Sequence, residues 1–276
     1  MIKKALFIAI ISSLTFSASA ATTPTPANTC QVGVPKSSNL YTAVQWYADS
    51  AERNAIYREV FYLAELQIRD KVRAEHLRAH HWGVVFDIDD TLLSNAQLNA
   101  NETAQCRSFS PDLFSAWAIQ AKDPALPGAV KITCGLQKMG AYVTLVTNRD
   151  GSYVDPTTHE KLLTATLDNL KQQGICFDQV ILAKNNDDWN KTPRFNAVES
   201  GKYAKDMVYS KTLPAHKVLA FFGDNIQDMP NLTQAEMIKQ DPNGKAYNNF
   251  GTLFFSLPNP MYGSWMGNSF TVTVSS

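Results

Sequence analysis

Three observations predict an α/β protein built on a Rossmann-like parallel sheet with a helical N-terminal and cap portion. Four short apolar runs, at 82–86, 142–147, 179–183 and 217–222, each pass into loop or helix. Helical patterns at 113–119, 129–139, 160–173 and 194–204 lie between them, and strands alternating with helices imply right-handed crossovers and parallel pairing. Three of the strand-like runs stop on polar residues, and ligands in such sheets gather beyond the carboxyl ends of the strands. With 276 residues and 45% hydrophobic content the chain has material for one large core.

Taken in order, residues 1–20 read as a secretory signal peptide. Ile2-Lys3-Lys4 is a basic start, 5–16 is apolar, and Ala18-Ser19-Ala20 offers small residues for cleavage before Ala21. The apolar stretch is short for a bilayer, and Cys30 lies too far downstream for lipid attachment. The expectation is a soluble exported protein, periplasmic or secreted, without a stable membrane anchor. Removing Lys3 and Lys4 leaves 23 of the 25 Lys and Arg against 25 Asp and Glu, a net charge of −2. That balance argues against a nucleic-acid partner. Residues 21–40, rich in Thr, Pro, Asn and Ser, read as a flexible leader.

The main domain is expected over 41–276. It opens on one long helix or two, because Val44, Tyr47, Ala51, Ala55, Val60, Leu63, Leu66 and Ile68 recur at three-to-four spacing. Pro124, Pro127 and Gly128 separate the next two helices, and 250–265 is loop-rich and aromatic. Cys30, Cys106, Cys134 and Cys176 allow three full pairings, among which the sequence does not choose.

Chemistry concentrates in four polar segments. Asp87-Ile88-Asp89-Asp90-Thr91 ends the first run; Asp87 and Asp89, two apart, share a face. Two carboxylates held so close need a cation or a shared proton. Thr147-Asn148-Arg149 ends the second run, Lys191 and Arg194 follow the third, and Gly223-Asp224-Asn225-Ile226-Gln227-Asp228 ends the fourth. Singly each has an ordinary reading, as a cap, a turn or a solvated charge.

Together, in this order, they resemble the motif set of the haloacid dehalogenase superfamily, and within it the class C acid phosphatases of bacteria. The segments 44–52, 126–130 and 257–265 resemble that family's N-terminal helix, its lead into the second motif and its C-terminal substrate loop. Coverage runs from about Tyr41 to Trp265. The chain departs from the family in Asp90, where Glu is usual, in Leu98, where Tyr is usual, in an insertion at 204–215, and in lacking the lipid-attachment cysteine.

The resemblance implies a magnesium-dependent phosphomonoesterase. Asp87 is the implied nucleophile, and Asp89 the acid and then the base, which requires it to keep a proton that Asp87 lacks. Thr147 and Lys191 are implied to hold the non-transferring phosphoryl oxygens. Mg2+ is assigned to Asp87, the backbone carbonyl of Asp89, and Asp224, with Asp228 as an outer or water-mediated ligand. Tyr262, Trp117, Asn148 and Arg194 are the substrate-binding candidates. Stacking on Tyr262 favours a nucleoside 5′-monophosphate among small phosphate monoesters; a homodimer is admitted. The alternatives are a binding or storage protein on the same fold, against which retention of Asp87, Asp89, Lys191 and Asp224 discriminates, and a phosphatase for small sugar or other organic phosphates.

Overall fold

The computed structural model describes residues 40–269. The signal peptide, all but the last residue of the leader, and Cys30 lie outside them. Leu40, assigned to the leader, already begins helix α1 (Leu40–Asp49). Ser50 then caps α2 (Ala51–Ala74), accepting from the Arg53 amide at 3.0 Å, so the chain makes two helices here.

The buried stripe of α2 is Tyr57, Phe61, Ala64 and Ile68. Leu63 and Leu66, expected on that stripe, are solvent-facing instead. The aromatic rings decide the rotation. Tyr57 and Phe61 meet edge-on, and Phe61 packs on Phe86 and Phe222 of the central strands.

The strands are β1 (Trp82–Phe86), β2 (Tyr142–Asp150), β3 (Gln179–Ala183), β4 (Val208–Tyr209), β5 (Lys217–Gly223) and β6 (Phe254–Ser256), in sheet order β4-β3-β2-β1-β5-β6. All neighbours are parallel except β3 and β4. The fold is therefore α/β with a mostly parallel sheet. The expected 204–215 insertion supplies the antiparallel edge strand, while β6 arises inside the segment read as loop. A three-residue pairing leaves too little periodicity to detect.

Side chains alternate across the sheet. Val84 and Phe86 enter one core with α2, α5 (Ala129–Lys138) and α6 (Leu162–Gln172); Val85 enters the other with Phe195 and Val198 of α7 (Thr192–Ser200). Between β1 and α5 stand two shorter helices, α3 (Ala96–Ala104), unread in the sequence, and α4 (Pro111–Ala118). A disulfide joins Cys134 on α5 to Cys176, just before β3. Cys106 is disulfide-bonded as well, and no described cysteine is free. Among the described residues no helix is long and apolar enough to cross a membrane.

The placement of β1 matters most for function. Its neighbours β2 and β5 are reached in opposite directions along the sheet, which opens a crevice beyond its carboxyl end.

Candidate active site

Asp87 emerges into that crevice. Its amide still bonds the Phe222 carbonyl at 2.8 Å, extending the β1–β5 ladder one residue past the strand. Alternation then returns Ile88 to the core and brings Asp89 toward the crevice. From β5, Gly223 leads into Asp224 and a short 3₁₀ turn, Ile226–Asp228. A Cβ at Gly223 would stand 2.2 Å from that of Asp228, so any side chain there would displace the aspartate.

The carboxylates of Asp87, Asp224 and Asp228 offer oxygen atoms all within 4.8 Å of one another. Asp228 is fixed on both sides, by the Asn225 amide at 2.9 Å and by Lys191 Nζ at 2.6 Å. Lys191 also donates to Asp87. Asn259 donates to Asp224 at 2.8 Å, and Thr91 donates more distantly at 3.4 Å.

Burial pushes the Asp87 carboxyl up to about 7; Asp228 and Asp89 add to the rise and Lys191 opposes it. Asp224 is raised well above the usual range, by burial first and then by Asp228 and Asp87. Burial would lower Lys191, but Asp228 and Asp87 hold it protonated. With one ammonium against three carboxylates, ionising all three would leave a surplus of negative charge, and the raised Asp87 and Asp224 carboxyls express that conflict. An all-oxygen donor set with this surplus fits a hard divalent cation such as Mg2+.

Asp89 sits among donors. Burial would raise it, yet Arg149 overrides burial and holds the carboxyl below its ordinary value. Arg149 is fully buried, with Nε at 3.2 and 3.1 Å from the two Asp89 oxygens and a terminal nitrogen at 2.8 Å. Asn95 Nδ2 and Thr147 Oγ1 donate as well, at 3.1 and 3.2 Å. Arg149 and Asn95 can only donate, and that arrangement favours the ionised form of Asp89. The Thr147 hydroxyl, expected to face a phosphoryl oxygen, here gives its hydrogen to Asp89.

Trp117, expected against substrate, does not line the cavity. Its indole donates to Asp123 at 2.6 Å, and Asp123 accepts from Arg149 at 3.1 Å. Trp117 thus braces the cation that holds Asp89. Arg194 is likewise no cavity residue: buried, it donates to the Thr147 carbonyl, to Asn148 Oδ1 at 2.7 Å and to the Asp188 carbonyl at 3.0 Å. Asn148 and Tyr262 do line the cavity. The Tyr262 phenol is half-buried and donates to Asp90.

The cavity, about 540 Å³, opens from the acidic cluster onto Leu98, Phe109, Phe114, Trp189 and Met266. Phe109 and Trp189 are each about half exposed (53% and 49%). Neither was singled out in the sequence; a lone tryptophan in the polar run 184–191 was the available signal.

A model of the family HAD superfamily, subfamily IIIB (acid phosphatase), matches residues 4–265. The stem 31 kDa glycoprotein of Glycine max is 25% identical over 191 residues, 68% of this chain and 63% of that protein. Acid phosphatase 1 of Solanum lycopersicum is 24% identical over 178 residues, 64% of this chain and 57% of its own length. The chain thus spans less than two thirds of the curated relatives it matches. Among solved structures, the class C acid phosphatase from Bacillus anthracis superposes with a TM-score of 0.67 at 22% identity, over 84% of this chain and 88% of that one. The same enzyme with tungstate bound gives the same values. That likeness shows the fold.

Proposed function

The chain belongs to subfamily IIIB of the HAD superfamily, the acid phosphatases, and from that premise we propose that it hydrolyses phosphate monoesters, nucleoside 5′-monophosphates foremost, through an aspartyl-phosphate on Asp87. The observation that carries this reading is the cluster of Asp87, Asp224 and Asp228 around Lys191, at the head of an apolar-walled cavity. Mg2+ would be held by Asp87, Asp224 and Asp228, with the Asp89 carbonyl added on the strength of the resemblance. Bound there, it would offset the carboxylate charge and polarise the phosphoryl oxygens.

The chain's own groups divide the remaining work. Asp87 attacks phosphorus while the ester P–O bond breaks, and the departing alkoxide takes a proton from Asp89. Water then attacks phosphorus and gives a proton back to Asp89 as the bond to Asp87 breaks. Arg149 favours the ionised form of Asp89, so its proton would arrive with the substrate. Lys191 spends two donors on Asp87 and Asp228 and keeps a third for a phosphoryl oxygen. Tungstate in the Bacillus anthracis enzyme, a tetrahedral oxyanion, supports an oxyanion-binding reading of the same fold.

The aromatic wall supports the nucleotide preference. Phe109 and Trp189 present open ring surface to the cavity, and base–aromatic stacking contributes about 1–3 kcal/mol per base. Export rests on residues 1–20 and belongs to the same proposal.

The test is hydrolysis of p-nitrophenyl phosphate and AMP at mildly acidic pH, with magnesium and with chelator, beside Asp87→Asn. Metal-dependent turnover, lost in the variant, is expected. Turnover that survives in Asp87→Asn would overturn the nucleophile assignment, and equal efficiency on AMP and glycerol phosphate the nucleotide preference.

A further inference from the structure

We infer that Arg194 is a positioning residue that sets the preference for a flat, aromatic alcohol half. It does so by fixing Trp189, the ring that would stack on that half, to the turn that carries Thr147. The inference rests on the phosphomonoesterase reading and deepens it.

Trp189 lines the cavity and is half exposed, so an occupant can reach its ring. It stands on an irregular connector, 184–190, between β3 and α7. A ring on such a connector loses stacking energy to the cost of ordering the chain, unless the chain is ordered beforehand. This connector is ordered at Trp189 itself. The Asp188 carbonyl, in the peptide before the ring, accepts from Arg194 at 3.0 Å. The Trp189 carbonyl, in the peptide after it, accepts from Asn148 Nδ2 at 3.3 Å. Asn148 is held in turn through Oδ1 by Arg194 at 2.7 Å. Both peptide groups that flank the ring are therefore tied, one directly and one through Asn148, to a single guanidinium.

That guanidinium is a fixed point. Arg194 is buried on the first turn of α7, whose Phe195 and Val198 pack in the core. It also donates to the Thr147 carbonyl, and the Thr147 hydroxyl bonds Asp89. A buried guanidinium is costly unless its donors are met. Here they are directed to oxygens of two loops, one bearing the ring and the other bonded to Asp89. A planar fork suits such separate acceptors better than a point charge does. Lys191, two residues beyond Trp189, closes the connector against Asp87 and Asp228. Ring and phosphoryl site are thus held in one frame, which favours an ester long and flat enough to touch both.

The readout is the ratio of kcat/KM for AMP to that for glycerol phosphate, which cancels any loss of folded enzyme. Trp189→Ala should lower it about fivefold or more, and Arg194→Met about threefold or more. In the Trp189→Ala chain, adding Arg194→Met should change it by less than about twofold, because the effect travels through the ring. A ratio unchanged in Trp189→Ala or in Arg194→Met, or one that Arg194→Met lowers as far when Trp189 is absent, would overturn the inference. Asn148→Ala cuts the tie to the Trp189 carbonyl and gives the same comparisons where Arg194→Met does not fold. A wild-type ratio near one, with both esters turned over, would overturn the inference and the nucleotide preference but leave the phosphomonoesterase. No turnover of either ester with magnesium present would overturn the phosphomonoesterase reading, and the inference with it.

Discussion

The hydroxyl of Tyr262 donates to the carboxylate of Asp90 at 2.5 Å, across 172 residues of sequence. The bond fastens the C-terminal loop to the turn that carries Asp87 and Asp89. Asp90 sits at φ 56°, in the left-handed region that Asp tolerates better than most side chains. Its other oxygen accepts the Asn95 amide at 2.8 Å, and its carbonyl accepts Tyr57 from α2. Two distant parts of the chain, α2 and the C-terminal loop, thus converge with the nearby Asn95 on one residue of the turn that carries the nucleophile. Tyr262→Phe keeps the ring and removes this bond, together with the longer one its oxygen accepts from Asn95 at 3.4 Å, leaving a buried Asp90 oxygen short of a donor. A loss of about 1–3 kcal/mol in urea unfolding is expected. An unchanged midpoint would mean that Tyr262 serves substrate and not the loop.

Arg149 is the cation on which Asp89 and Asp123 both depend. Arg149→Met strands two carboxylates in the interior, and removing one partner of a buried ion pair costs about 3–5 kcal/mol. Turnover should fall by about 10²-fold or more as Asp89 loses its orientation. Arg149→Lys should rescue little, since a point charge cannot replace the planar fork that spans both Asp89 oxygens. Denaturation and steady-state kinetics on the two variants check both statements, and full activity in Arg149→Lys would show that charge alone suffices.

Asn259 touches Asp224 and lies outside the acidic cluster. If Asp224 holds the metal, Asn259 orients a ligand, and losing such a support weakens metal affinity about 10–100-fold. Asn259→Ala should therefore raise the magnesium concentration needed for half-maximal activity by that factor, with turnover largely restored at saturation. A magnesium titration decides it; a fall in turnover that no magnesium restores would place Asn259 elsewhere in the chemistry.

His216 lies at the amino end of β5, against Tyr142 and Gly83. Its Nδ1 bonds the Pro214 carbonyl at 2.8 Å, while Nε2 is buried without a partner. Burial lowers its pKa below the ordinary 6.5, with the Pro214 carbonyl opposing. The folded chain accordingly binds fewer protons here than the unfolded chain once pH drops toward 6.5, so this group's contribution to stability declines as pH falls from there through the lowered folded value. Asp87 and Asp90, both raised to about 7, act in the opposite sense. The difference between wild type and His216→Phe isolates the histidine. Melting temperatures between pH 5 and 8 should show the variant losing less on acidification, and parallel curves would remove His216 from the balance.

The sequence by itself determined the interior of the sheet and the four polar segments around it. β1 and β3 begin and end where their apolar runs do, because a strand buried on both faces must be apolar throughout and stops where polar groups begin. Asp87, Asp89, Asp224 and Asp228 stood out as candidates because each follows such a stop and the nearby carboxylates pose a charge problem that chain order alone makes visible; Thr147 stood out where its apolar run ends, although β2 continues through it to Asp150, and Lys191 only through its place in the motif order. What only the tertiary structure decided depends on partners far along the chain. The role of Trp117 follows from Asp123 and Arg149, and that of Arg194 from Asn148 and Asp188, none of which periodicity can pair. Whether Asp89 carries a proton is set by a guanidinium 60 residues away. Local patterning records which side chains must leave water; hydrogen-bond and ion-pair partners between those side chains depend on distances that only the packed chain sets.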